Sequence, residues 1–175
     1  MPTATQNRWS YLDRAGNTAF EVTCTAAGGF SEGLAAVLVK GRTGYIDTSG
    51  KMAIEPQFAQ AGPFREGLVA VEVSNREGGK KEFDGPQRFG FADRQGAMAI
   101  QAKYEFCMKF SSGLAPVKTG GSLHGYVDRT GRLAIPPIRC QFAWPFIGEL
   151  AMVRVGDHEE WYINREGKYV WPLKE

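Results

Sequence analysis

The chain has 175 residues, 43% of them apolar and 23% charged, with a net charge of +2. That balance is globular and excludes a disordered composition, while the near-neutral charge argues against a nucleic-acid partner, which needs a broad basic field. No window approaches the run of about 18 apolar residues that spans a bilayer, and MPTATQNRWS at the start has no apolar run of the signal-peptide kind, so a cytoplasmic protein without a membrane partner is expected.

In chain order, the first recognisable element is YLDRAG at 11–16: an aromatic, an apolar residue, an acid, two spacers and a glycine. FSEGLAAV at 30–37 then leads to YIDTSG at 45–50, FREGLVAV at 64–71 to FADRQG at 91–96, FSSGLAPV at 110–117 to YVDRTG at 126–131, and FIGELAMV at 146–153 to YINREG at 162–167. Four residues past each turn glycine stands a large apolar anchor: Phe20, Ile54, Ile100, Ile135 and Trp171. Self-similarity on this scale is the mark of a repeat architecture, in which each unit buries its apolar face against its neighbours. The expected organisation is one repeat domain over 1–175, with a partial repeat at 8–29 and full repeats at 30–63, 64–109, 110–145 and 146–172.

Each full unit reads as three strands. In the GLAxV strand, Ala35, Val37 and Val39 align with Val69, Val71 and Val73, with Ala115 and Val117, and with Ala151, Val153 and Val155. This alternate set is apolar throughout and is expected to face the core. The interleaved set starts at Leu34, Leu68, Leu114 and Leu150 but drifts to Glu72, Lys118 and Arg154, so that end of the face is expected to reach solvent. A second strand ends in the DxxG turn, where an acid accepts turn amides and glycine tolerates positive φ. The third carries the anchor, and Pro56, Pro136 and Pro137 follow it as an irregular link. No stretch sustains a helical period. The fold class expected is therefore all-β with little helix, tandem three-stranded antiparallel meanders forming a twisted β solenoid. A closed propeller-like ring is the alternative, disfavoured because the first unit lacks its opening strand.

The units also carry an irregularity. From the strand leucine to the repeat aromatic is 11 residues at Leu34–Tyr45 and 12 at both Leu114–Tyr126 and Leu150–Tyr162, but 23 at Leu68–Phe91. The extra segment is SNREGGKKEFDGPQR, residues 74–88. Long insertions in repeat arrays map to loops on one face, often a binding face. Arg76, Lys80, Lys81, Phe83, Asp84 and Arg88 are the candidate partner-binding residues, an aromatic anchor among mixed charges.

Other constellations read as structural. The ladder Asp13, Asp47, Asp93, Asp128 could suggest Ca²⁺ ligands or paired catalytic carboxylates, but Asn164 closes it and keeps a turn acceptor while losing charge. Cys24, Cys107 and Cys140 are odd in number and share no CxxC spacing, which fits small buried hydrophobes in a reducing compartment. His124 and His158 have no metal spacing with other ligands, and no nucleophile motif or phosphate loop is present. No cofactor, no metal and no catalytic set is expected.

The units resemble the WG repeat family, a mostly bacterial repeat of the form F-x-E-G-L-A-x-V, then W-G-Y-I-D-x-x-G, then an anchor and proline. The resemblance spans residues 8–172. The family's Trp position holds Trp9, Thr43, Phe89, His124 and Glu160, and its Gly position Ser10, Gly44, Gly90, Gly125 and Trp161. Such membership implies a β scaffold that binds other molecules and no catalytic residues, and a free-standing array of this kind resembles an immunity protein. The function expected is non-enzymatic protein binding, most concretely an immunity-type protein that occludes a toxin or effector. A small-ligand or glycan binder is the first alternative, and a carboxylate hydrolase a weaker one.

Overall fold

A computed structural model describes residues 7–73, 88–156 and 159–172. Among these residues there is no helix. A two-stranded sheet, β1 (Asn7–Leu12) and β2 (Thr18–Cys24), opens the array. Four four-stranded sheets follow in chain order. The second is β3 (Ala26–Ala27), β4 (Leu34–Val39), β5 (Arg42–Asp47) and β6 (Met52–Phe58); the third is β7 (Gln60–Ala61), β8 (Val69–Val73), β9 (Arg88–Ala92) and β10 (Met98–Tyr104). The fourth is β11 (Phe106–Cys107), β12 (Ala115–Gly120), β13 (Leu123–Val127) and β14 (Leu133–Arg139). The fifth is β15 (Phe142–Ala143), β16 (Ala151–Val155), β17 (Glu159–Ile163) and β18 (Tyr169–Pro172).

Every four-stranded sheet is an antiparallel meander, and three of its strands are those read from the sequence. The fourth was not expected. After each anchor strand, where an irregular link was foreseen, the chain forms a two-residue strand that pairs with the GLAxV strand of the next repeat. Two residues are too few for alternation to show in sequence. Substantial contacts between sheets join only neighbours in the chain, so the array is open, as the solenoid reading required, and not a closed ring.

The sheets stack through one repeated interface. Leu34, Tyr45, Ile54 and Phe58 meet Phe64, Val69, Val71 and Ala92 of the following unit. The same positions recur as Leu68, Phe91, Ile100 and Tyr104 against Phe110, Ala115, Val117 and Val127, and as Leu114, Tyr126 and Ile135 against Phe146, Ala151, Val153 and Ile163. Phe64, Phe110 and Phe146 each set the ring edge-on to the preceding unit's aromatic, at 4.9 Å for Tyr45–Phe64, 4.8 Å for Phe91–Phe110 and 5.0 Å for Tyr126–Phe146. Val37, Val71, Val117 and Val153 are all buried, as their shared offset demands. The three thiols are buried and free; desolvation raises all three, that of Cys140 to about 11, so they act as inert apolar groups.

A clasp at the FxEG turns explains a glutamate that periodicity alone does not. Glu32–Gly33 and Glu66–Gly67 sit at positive φ (53° and 79°, 54° and 80°) in two-residue hairpins, the geometry of a type I′ turn. A non-glycine residue there is strained by about 1–2 kcal/mol. The strained side chain binds the next unit. Glu32 accepts the amides of Glu66 at 2.6 Å and Gly67 at 3.0 Å, and Glu66 accepts that of Gly113 at 3.0 Å. Arginines after the turn aspartate or asparagine reach back the other way, Arg94 donating to the Glu32 carbonyl at 2.8 Å and Arg165 to that of Ser112 at 2.7 Å.

The aspartate ladder caps turns. Oδ1 of Asp13, Asp47, Asp93 and Asp128 each accepts two backbone amides, and Asn164 Oδ1 makes the same pair at 3.1 and 3.0 Å. At Asp128 the Thr130 hydroxyl, then Arg132 and the amides, hold the carboxyl down at about 2, against an ordinary 3.8. A depressed carboxyl stabilises the fold above its unfolded value and loses that contribution as pH falls through its folded one. Melting temperatures of the wild type and Asp128→Asn should therefore differ most above pH 4 and converge as pH falls to 2. A gap independent of pH would contradict this role.

Candidate functional site

The inter-unit interfaces repeat one chemistry, but one row of each sheet does not. It runs across the short strand, the outer end of the GLAxV strand and the family's Trp position, all paired in register. In the second sheet it is Ala26–Leu38–Thr43, in the third Gln60–Glu72–Phe89, in the fourth Phe106–Lys118–His124 and in the fifth Phe142–Arg154–Glu160. Paired residues of antiparallel strands project from one face, so each row forms one strip of side chains. Because the scaffold around it is constant, this variation marks the place where the units are differentiated.

The rings of these rows join into a stripe across the last three sheets. Phe89 meets Phe106 at 5.6 Å, Phe106 meets Phe142 at 6.3 Å, and Phe142 meets Trp144 at 4.6 Å. Phe106 is 38% exposed. Charge lies alongside: Lys118 pairs with Glu105 at 3.3 Å, and Arg154 pairs with Glu160 at 2.7 Å while stacking over Trp144 at 5.1 Å. His124 is buried; its Nδ1–H donates to the Cys140 carbonyl at 3.1 Å, and desolvation holds its pKa below the ordinary value. It is thus a packing residue in the family's Trp position.

Between the third and fourth sheets the stripe borders a cleft of about 450 Å³. Its walls include Gln60, Ala70 and Phe89 on one side and Phe106, Cys107 and Lys109 on the other. The expectation that the outer end of this strand's second face reaches solvent fails at Glu72, which has no exposed surface. Its partners in the sheet are Gln60 and Phe89 on the flanking strands. Lys118 and Arg154 keep part of that exposure.

The inserted segment joins the array at Val73 and Arg88, next in sequence to Glu72 and Phe89. Val73 pairs directly with Arg88, as Val39 pairs with Arg42 across the two-residue turn Lys40–Gly41. Arg88 is therefore part of β9 and not of the loop. Its guanidinium donates to the Lys103 carbonyl at 3.3 Å, the counterpart of Arg42 on the Gln57 carbonyl at 3.2 Å. Arg76, Lys80, Lys81, Phe83 and Asp84 lie outside the described residues, as does His158. Among the described residues no group of three His, Cys, Asp or Glu comes together as a metal site.

The family model for the WG containing repeat matches residues 9–42, 44–76, 89–122 and 125–157. The chain belongs to the WG repeat family. The family's glycine, Gly44, Gly90 or Gly125, lies where each of these repeats brings its anchor strand close, as the contact distances at these positions show. A search of curated proteins gives no match to this WG repeat protein. Among solved structures it is similar to a crystal structure of the eukaryotic initiation factor, at 11% identity and a TM-score of 0.54, over 98% of this chain and 52% of that one. The WG repeat protein thus spans about half the length of that structure, and the likeness is one of fold.

The sequence missed the variable row for a definable reason. Its members come from three strands and align only once the two-residue strand is known. The available signal was comparison of the copies, which shows Leu38, Glu72, Lys118 and Arg154 at one offset.

Proposed function

We propose that this WG repeat protein is a non-catalytic protein-binding module, acting as an immunity-type inhibitor that covers a toxin or effector. The observation that carries the reading is the aromatic stripe of Phe89, Phe106 and Phe142 on the row that differs between units, continued by Trp144 beside it. Rings flanked by arginine and mixed charge are the composition of interface hot spots. The insert is attached at Val73 and Arg88, the pair next to Glu72 and Phe89 of this row. The charge complement it offers, Arg76, Lys80 and Lys81 against Glu77, Glu82 and Asp84, favours a specific protein over a polyanion.

The pairing of Val73 with Arg88 makes the test clean. Residues 74–87 can be replaced by a Lys-Gly turn like that at 40–41 without disturbing the strands. The shortened protein should melt as the wild type does, and its affinity for the partner isolated from native lysate should fall at least tenfold, about 1.4 kcal/mol. Trp144→Ala should act in the same direction. Partner affinity unchanged in both variants, or a captured partner whose activity is unaffected by binding, would defeat the proposal.

A further inference from the structure

Glu72 is completely buried, and among the described residues neither of its carboxylate oxygens has a hydrogen-bond partner. Register places it between Gln60 and Phe89, so its side chain projects on the same side of the sheet as theirs. Both neighbours line the cleft between the third and fourth sheets, as does Ala70 two residues earlier on that face. Tyr104, paired with Phe89 in the same row, is buried too, and its hydroxyl is likewise unpartnered. Two orphaned polar groups thus share one strip beside one cavity. In the next two sheets the slot equivalent to Glu72 holds Lys118 and Arg154, each paired with an acid. In the third sheet the acid has no cation paired with it among the described residues. Buried carboxylates are ordinarily paired or hydrogen-bonded, and aromatic faces attract organic cations.

The geometry points to a binding site for a singly charged organic cation, an alkylammonium or alkylguanidinium group, with its charged end on Glu72 and its apolar body against Phe89 and Phe106. The Tyr104 hydroxyl supplies a second acceptor. Lys109 on the cleft wall opposes a second positive charge. The cavity, about 450 Å³, falls within the size range of small-molecule sites. This site goes beyond the protein-binding reading and stands without it.

The test uses the full chain and four probes of one shape: butylguanidinium, butylamine, butanol and butyrate. The two cations should bind saturably by calorimetry and raise the melting temperature, while butanol and butyrate should do neither. Glu72→Gln should weaken cation binding at least tenfold. Phe106→Ala, on the exposed wall and away from the buried acid, should weaken it severalfold and serves if Glu72→Gln does not fold. Tighter binding of an arginine within a blocked tripeptide than of butylguanidinium assigns the cation to a partner's side chain; the reverse order assigns a free small molecule, and either order upholds the site. Equal binding of butanol, or cation binding undiminished in Glu72→Gln, overturns it. So does a double-mutant cycle, run without probe, in which Lys80→Ala and Lys81→Ala couple to Glu72→Gln, since the protein's own insert would then supply the cation.

Discussion

Gly44→Ala should destabilise the protein by about 2–3 kcal/mol, lowering its melting temperature by about 5–10 °C, although the glycine occupies an ordinary strand conformation. A Cβ at Gly44 would lie 2.6 Å from the Ile54 carbonyl oxygen and 2.8 Å from the Pro56 nitrogen, both main-chain atoms that cannot swing aside. The cause is a bulge. Thr43 pairs with Phe58 but Tyr45 with Ile54, so extra residues of β6 crowd against Gly44. Gly90 and Gly125 face the same bulge in β10 and β14. In the first and last sheets the pairing runs without a bulge at this point, Trp9–Val22 to Tyr11–Phe20 and Trp161–Pro172 to Tyr162–Trp171. These are the two units in which the glycine is replaced, by Ser10 and Trp161. Ser10→Ala is therefore the control and should shift stability by no more than about 0.5 kcal/mol. Thermal and urea denaturation of both variants check the contrast; equal effects would refute the bulge argument.

Phe110→Ala should be the most damaging single truncation, costing about 3–5 kcal/mol. The side chain is 2% exposed and sits at the middle of the stack, its ring 4.8 Å from Phe91. In an array where units touch only their neighbours, loss of one interface is not shared among the others. Phe30 holds the equivalent position in the first full unit but is 39% exposed, since the opening sheet has two strands. Phe30→Ala should cost less than half as much. The comparison is made by calorimetry, and it fails if the two truncations are equally harmful.

Much of this fold was legible in the sequence because its interior is written four times. Val37, Val71, Val117 and Val153 share an offset and share burial; the aspartates stand before turn glycines and cap those turns, and Asn164 keeps the same bonds. What escaped was set by distance in space. The two-residue strands carry no periodicity. The Glu32 and Glu66 clasps act on residues a whole unit away, so nothing local marks them. Glu72 looked solvent-facing because an acid at a strand end usually is, and its burial shows only in three dimensions. Of the candidate site residues, Arg88 turned out to belong to the sheet, and the variable row was hidden until register placed its three members together.

The bulge has a further meaning. The constraint that gives these repeats their shape is exerted on the main chain opposite Gly44, Gly90 and Gly125, and the residue just before each glycine takes no part in it. That neighbour is Thr43, Phe89 or His124, and the same position holds Trp9 and Glu160 in the two copies without the glycine. Frame and vocabulary are thus held by adjacent letters. Selection can rewrite that letter in any one copy, to a buried threonine or histidine or a partly exposed phenylalanine, while the frame that holds it stays fixed.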